Sequence, residues 1–573
     1  MDEKLYIIDI TSPFFVHHPE GLINWSKIPY SSLEQYFLYN NQAKVDIEEN
    51  IITYLKKVKS LGYNAISMDE LSRLVIFPFY PKSLKKKMSI YSEYYRYLFA
   101  VAKKLGFKIF ITTDVMFFNR GIEQYVRNSL TSIIELMKTA IVQLFSEYNN
   151  IHGIIFRIGE SDGVDVEGDF TSNIVLKTPE NANLFIKELL PLFNELRKIF
   201  IFRTWTIGAY KCGDLMWNEK TYDKVFRDIS SDDDNFIISM KYGNCDFFRF
   251  QSLNPLFHRD SRKKIVELQT RREYEGFGEF PSFIGWDYKE YHDELLTVES
   301  FTGIHVWCQT GGWSRFRNFT FLENTSHWNE LNTYVTIKIF RNNMTVEEAL
   351  ASFYGRVKLD ALKLFLRLSE KTIKNILYDQ SYAEMNLFFN RVRIPPLLHI
   401  SWDNVTITDS MFHFYRVFVK NREKSVNDAY ETLKDINTMK ELADQLQVPY
   451  NYNFHYDTFR LFAISRELLY SKTANDTTLI NRLYELLGEY EAEYPLKYRF
   501  YVNLSSDRKL LSSFFARLAI RILVRKKNKY RLLDYLLFNR ATSSIYLLLF
   551  YIIKDKLPKF VNKQGMPVRS LFS

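Results

Sequence analysis

Cysteine is scarce and placed without pattern: Cys212, Cys245 and Cys308 are the three in 573 residues. An odd number, with no Cys-x-x-Cys or Cys/His spacing, argues against a disulfide framework and a structural zinc module. A reducing, cytoplasmic setting is therefore expected. Glycine and proline are also thin, at 20 and 15 residues. That is about half the usual share, which excludes collagen-like and low-complexity disordered chains. The first residues, MDEKLYIIDITSPFF, lack the basic start and small-residue cleavage site of a secretory signal. The long apolar run near the C-terminus, Ile545–Ile553, has nine residues, whereas a helix needs about 20 to cross a bilayer. No glycine-rich phosphate loop follows a strand, which weighs against kinase and dinucleotide-binding readings. His258 and His305 stand apart from any second ligand at metal spacing, so neither a metal nor a cofactor is expected.

Aromatic residues make up 16% of the chain, enough to supply both core volume and flat platforms for sugars or bases. The net charge of +9 is unevenly spread: residues 508–573 hold fifteen Lys/Arg against Asp534 and Asp555, a net of +13, so residues 1–507 carry −4. No recognition motif accompanies the basic end, and nucleic acid is not an expected partner.

The first 310 residues repeat one theme, a short apolar or β-branched run, a polar loop and a longer segment of helical spacing. Strands are predicted at Leu5–Ile10, Asn64–Met68, Lys108–Thr112, Gly153–Ile158, Ile199–Trp205, Phe236–Lys241, Lys264–Gln269 and Gly303–Cys308. Helices are predicted between them, among others at Ile47–Leu61, Tyr91–Leu105, Ile122–Tyr148 and Pro179–Lys198. Eight alternations predict an α/β fold, a closed (β/α)8 barrel over 1–344. From the capping-box sequence Thr345-Val-Glu-Glu348 onward the spacing is helical without strand runs, giving a mainly α-helical domain over 345–507. A basic amphipathic tail occupies 508–573. It reads either as a buried terminal helix with a solvated basic face or as a peripheral contact with the inner face of a membrane.

In such barrels the chemistry sits at the C-terminal ends of the strands. Here those ends are polar, with Asp9, Asp69, Asp114, Arg157, Arg203, Lys241, Glu267 and Trp307 among them. Glycosidic bond cleavage needs a proton donor and a second carboxylate that attacks or activates water. Glu160, in FRIGESD after the fourth strand, fits the donor position; alternatively it is a loop carboxylate paired with Arg157. Trp205, Trp286, Trp307 and Trp313 follow strand ends and are candidates for stacking on a sugar face, Trp307 first.

The segment Lys241–Gly276 carries a more specific pattern. It holds Lys241, Asp246 and Phe247, then Pro255-Leu256-Phe257, then Glu267, Gln269, Glu273, Tyr274 and Gly276. In this order and spacing it resembles the α-glucuronidases of glycoside hydrolase family 67, and the likeness extends over roughly 151–353. The resemblance implies that Asp246 and Glu273 hold and deprotonate the attacking water while Glu160 donates the proton, an inverting mechanism. It also implies that Arg203 and Lys241 receive the carboxylate of a uronic acid, which has to be paired when it leaves water. Lys241 has the alternative of serving Asp246 alone. Three features depart from the family. No sandwich domain precedes the first strand at Leu5, the family's extra lysine near the acid is replaced by Phe156 with Arg157 next to it, and the basic tail has no counterpart.

These readings predict a glycoside hydrolase acting on a uronic-acid-containing oligosaccharide. Its catalytic residues are Glu160, Asp246 and Glu273, and its substrate contacts are Arg203, Lys241, Arg157 and Trp307. Two alternatives stand beside it: the same fold acting on another sugar, and a catalytically silent glycan-binding barrel tethered to a membrane-associated polysaccharide assembly.

Overall fold

The computed structural model describes residues 3–15, 22–24, 41–158, 169–206, 210–309, 313–315, 319–383, 385–389, 392–394, 404–408, 421–471 and 476–505, with single residues and short pieces elsewhere up to 551. Eight parallel strands form a closed barrel: β1 (Leu5–Asp9), β2 (Ala65–Asp69), β3 (Lys108–Asp114), β4 (Ile151–Arg157), β5 (Ile199–Arg203), β6 (Phe236–Lys241), β7 (Lys264–Gln269) and β8 (Phe301–Trp307). They follow one another around the ring in chain order, and β1 pairs with β8 from Leu5↔Gly303 to Ile8↔Val306. The predicted (β/α)8 architecture is the one that forms.

Closure depends on a missing side chain. Gly303 has φ +149°, and a Cβ there would lie 1.9 Å from the carbonyl oxygen of Leu5. At Gly153, between β3 and β5, an added Cβ would lie 2.2 Å from the Ile199 carbonyl oxygen.

Helices follow most strands: α1 (Asn41–Leu61), α2 (Lys82–Lys104), α3 (Leu130–Glu147), α4 (Pro179–Leu196), α5 (Glu219–Phe226), α6 (Gly285–Leu295) and α7 (His327–Asn342). Between β6 and β7 the connection is a single 3-10 turn, Pro255–His258. The helix predicted over Ile122–Tyr148 is in fact two, Arg120–Val126 and α3. The chain turns left-handed at Arg127 and Asn128, and the Ser129 hydroxyl caps α3 by accepting from the Ser132 N–H at 3.2 Å. Apolar spacing runs through this break, so periodicity alone does not show it.

Alternation along the strands builds the barrel interior in layers. Ile7, Ala65, Phe110, Ile155, Ile201, Ile237 and Ile265 form an apolar plug separate from the core between strands and helices. Two residues further along the same strand faces come Asp9, Ser67, Thr112, Arg157, Arg203, Ser239 and Glu267. The step from plug to polar layer turns the C-terminal end of the barrel into a chemically equipped mouth.

After the barrel come α8 (Val346–Tyr354), α9 (Leu359–Ile376), α10 (Arg422–Leu446), α11 (Tyr452–Tyr470) and α12 (Thr477–Glu493). Both halves of the capping box at Thr345 and Glu348 are present. This region is not purely helical. Asn386–Phe389 pairs with Val392–Ile394, and Asn404–Thr408 pairs in parallel with Tyr501–Ser505. Strands this short carry too few residues to display a period, and the second pair joins segments far apart in sequence.

Candidate active site

Asp246 lies in the loop after β6, which is folded back by its own polar side chains. The Asn254 amide donates to the Met216 carbonyl at 2.7 Å, the Gln251 amide to the Asp246 carbonyl at 2.7 Å, and the Tyr242 hydroxyl to the Phe248 carbonyl at 2.8 Å. Gly243 lies against Gln251, leaving no room for a Cβ. Glu273 lies in the loop after β7. Gln269, the last residue of β7, grips it twice through its side chain: Nε2 donates to Glu273 Oε2 at 2.8 Å, and Oε1 accepts from the Glu273 N–H at 2.9 Å. The two loops pack through the rings of Phe248 and Tyr274, 4.2 Å apart.

This packing brings Asp246 and Glu273 together. Lys241 Nζ bonds Asp246 Oδ1 at 2.5 Å, and the Tyr274 hydroxyl donates to Asp246 Oδ2 at 2.9 Å. Burial pushes the Glu273 carboxyl up, and the Asp246 charge adds to this. Lys241, Tyr274 and Gln269 oppose both, and the balance leaves Glu273 titrating at about 7. One buried carboxyl near neutrality next to an ion-paired one is the arrangement that proton-transfer chemistry uses. The Lys241 ammonium also lies 3.3 Å above the ring of Trp205 and 4.3 Å from that of Phe247, so its surroundings are aromatic on two sides.

Arg203 has a different partner from the one expected. Its Nε and one terminal nitrogen hold both oxygens of Glu267, at 2.8 and 2.7 Å. The Ser239 hydroxyl donates to Glu267 at 2.7 Å, and Trp307 Nε1 does so at 3.2 Å. Burial would raise the Glu267 carboxyl, but Arg203, His305 and Lys241 outweigh it and bring it down to about 2. Trp307 lies 4.9 Å from the Arg203 guanidinium and 4.0 Å from the His305 ring. Arg203 and Trp307 thus first brace Glu267, and a ligand carboxylate would share a guanidinium already bound on two nitrogens.

Arg157 is likewise engaged by protein carboxylates: Asp114 at 3.0 Å, Asp69 at 3.8 Å and Glu70 at 4.0 Å. Glu160 lies outside the described residues, and so does the side chain of Trp313. Trp286 does not follow the expected role. It lies in the first turn of α6, where its ring packs on Phe283 and the Arg367 guanidinium of α9 lies 3.5 Å from the ring. Among the described residues no cluster of three or more His, Cys, Asp or Glu has a metal-holding arrangement.

The sequence pattern grouped Lys241, Asp246 and Glu273, which the fold brings together, but gave no role to Gln269 or Tyr274. Tyr274 and Gln269 stand inside the quoted motif, so a signal existed; Trp205 was singled out only as a stacking ring. A second buried group was missed altogether. Arg249 and Arg272 flank Glu275 with contacts of 3.0 and 2.5 Å, and Arg249 also reaches Asp287 at 3.0 Å. The two arginines hold the Glu275 carboxyl well below the usual carboxylate range against the opposing effect of burial.

No family model matches the chain. It is similar to a protein named "Probable alpha-glucuronidase A" from Aspergillus flavus, 26% identical over 151 residues. That stretch covers 24% of this chain and 18% of the relative, so the match spans under a fifth of the relative's length. Among solved structures it is similar to a GH138 enzyme targeting pectin rhamnogalacturonan II. The TM-score is 0.50 at 12% identity, over 85% of this chain and 61% of the other. A Thermobaculum terrenum O-GlcNAc hydrolase gives a TM-score of 0.37 at 10% identity, over 89% and 95% of the two chains. What the GH138 structure shares with this chain is the barrel fold.

Proposed function

We propose that this protein is a glycoside hydrolase that removes a uronic acid from an oligosaccharide with inversion. A glycoside hydrolase reading is supported by the α-glucuronidase likeness and by the barrel shared with the GH138 enzyme. The observation that carries it is the pairing of Asp246 and Glu273 across two strand-end loops, with Lys241 on one carboxylate and a pKa near 7 on the other. In this reading Glu273 takes a proton from a water that Asp246 helps to hold, and Glu160 protonates the leaving oxygen from the other face of the sugar. Inverting enzymes separate acid and base by about 6.5–9.5 Å to admit that water. Lys241 offers its remaining N–H groups to the uronate, with Arg203 behind it. A uronic acid suits this side of the mouth because its carboxylate would meet two cations there.

One observation favours a second reading. Arg157, Arg203 and Lys241 all bind protein carboxylates, an arrangement that would suit a glycosidase for a neutral sugar. The test is sugar release from a panel of glucuronosides, galacturonosides, fragments of pectin rhamnogalacturonan II and neutral glycosides. Wild type is compared with Glu160→Gln, Asp246→Asn and Glu273→Gln. Release of uronic acid, reduced about 10²–10⁴-fold in each variant, is the expected result. The anomer first formed, read by NMR, reports inversion. Activity confined to neutral glycosides would favour the second reading, and full activity in Glu273→Gln would remove the assignment of the base.

A further inference from the structure

We infer that the C-terminal section docks this protein on the surface of an anionic lipid bilayer. Its root is fixed to the rest of the fold. The Tyr530 hydroxyl donates to Asp214 at 2.9 Å, and its ring packs on Trp217 at 5.3 Å between centroids. Val524–Arg525 adds to the strand at Asn386–Phe389. Beyond this root, large apolar side chains face outward: Leu532 is 82% exposed, Leu536 63%, Ile545 56% and Leu548 63%. Leu532 and Leu536 are four residues apart in the helix Leu532–Leu537 and so lie on one side of it. Scattered surface leucines need no explanation, but outward-facing residues of this size over one short stretch do.

Charge identifies the occupant. The section from 508 to 573 carries a net of +13 with two acids. One of them, Asp534, lies between the exposed leucines yet is turned inward, 3% exposed, with its carboxylate accepting from the Arg531 N–H at 2.6 Å. Among the described residues from 530 to 551, therefore, no acid side chain is presented with the apolar groups. A section whose sequence has excess basic charge and which exposes Leu and Ile matches the two attractions of an anionic leaflet, Coulombic at the headgroups and apolar at the acyl boundary. No helix among the described residues is long and apolar enough to cross a membrane, so the contact is interfacial. A polyanion without an apolar layer, such as nucleic acid or a polyuronate, would use the charge but leave the leucines in water.

The test is co-sedimentation of the full chain with vesicles of pure phosphatidylcholine or of equal parts phosphatidylcholine and phosphatidylglycerol. Binding to the mixed vesicles alone, weakened by salt, is expected. The combined substitutions Leu532→Ser, Leu536→Ser and Leu548→Ser should lower it about ten-fold or more, because each removes an apolar side chain from the acyl boundary. Circular dichroism establishes that this variant is folded, and Lys526→Gln with Lys527→Gln gives a second reading through charge alone. No binding to mixed vesicles, equal binding to both kinds, or binding unchanged by the leucine substitutions would overturn the proposal. So would tighter capture on polygalacturonate or DNA than on lipid.

Discussion

Two buried carboxyls at neighbouring positions of one barrel mouth are tuned in opposite directions, and the tuning makes their effects on pH dependence separable. Glu273 is raised, first by burial and then by Asp246, from an ordinary value of 4.5 to about 7. As a general base it acts in its ionised form, so kcat/KM should climb as pH rises through about 7. Lys241→Met removes a charge that lowers Glu273 and should move that ascending limb to higher pH, which a pH–rate profile would show. The consequence for stability has a fixed sign. A raised carboxyl favours the folded state fully below 4.5, and this contribution is lost as pH rises to about 7. Glu273→Gln should therefore raise the melting temperature relative to wild type more at pH 8 than at pH 4. Glu267 behaves in reverse. Its stabilisation is present above 4.5 and is lost as pH falls through about 2, because ionisation is what Arg203 rewards. A variant whose thermal shift is the same at both pH values would show that Glu273 is not raised.

The elements most sensitive to single changes are those where a strand has to approach another with nothing between. Gly303→Ala would drive a Cβ into the Leu5 backbone at the β1–β8 seam, and backbone cannot swing aside as a flexible side chain can. Soluble protein should be lost, or the denaturation midpoint should fall sharply. Gly488 is the opposite case, a glycine inside α12 with nothing within 4 Å of an added Cβ. Gly488→Ala should stabilise by up to about 1 kcal/mol through helix propensity alone. Denaturant titration of the two variants side by side tests whether the seam, and not glycine content, sets the difference. The loops after β6 and β7 belong to the same scale. They carry Asp246 and Glu273, and their geometry comes from Gln251 and Asn254, which bond backbone carbonyls, and from Gln269, which bonds Glu273.

At the scale of the whole molecule, the helical region is joined to the barrel under the candidate site. The Tyr378 hydroxyl, just after α9, donates to Glu275 at 2.8 Å, and Arg466 of α11 donates to the carbonyls of Ile376 and Tyr378 at 2.6 and 3.0 Å. Phe280 of the β7 loop stacks on His455 of α11, with 4.6 Å between ring centroids. Removing one member of the Arg249–Glu275–Arg272 group leaves buried charge uncompensated, which costs about 3–5 kcal/mol. Glu275→Gln should accordingly lower the unfolding midpoint seen by tryptophan fluorescence, largely a barrel signal, and by helix ellipticity together. In the wild type the two signals should coincide. Separate transitions would mean that the network does not couple the two regions.

The sequence by itself determined the barrel and the neighbourhood of its chemistry. Strand runs such as FIISMK and KIVELQ alternate apolar and polar residues in a way that only one orientation in a closed sheet satisfies, so the polar strand ends had to meet at one mouth. The grouping of Lys241, Asp246 and Glu273 was legible for that reason and because their spacing carries a known pattern. Other features were decided only by tertiary structure. The break at Arg127 and Asn128 rests on backbone dihedrals that apolar periodicity does not encode. The short strands at Asn404–Thr408 and Tyr501–Ser505 exist only because each finds the other. Above all, a charged residue's partner is chosen by three-dimensional distance. Read along the chain, Arg203 and Trp307 are open to a ligand; in the folded barrel they close on Glu267, a residue two strands from one and one strand from the other. Charge and hydrophobic pattern are properties of a sequence, whereas the pairing of one buried charge with another is a property of the space the fold encloses.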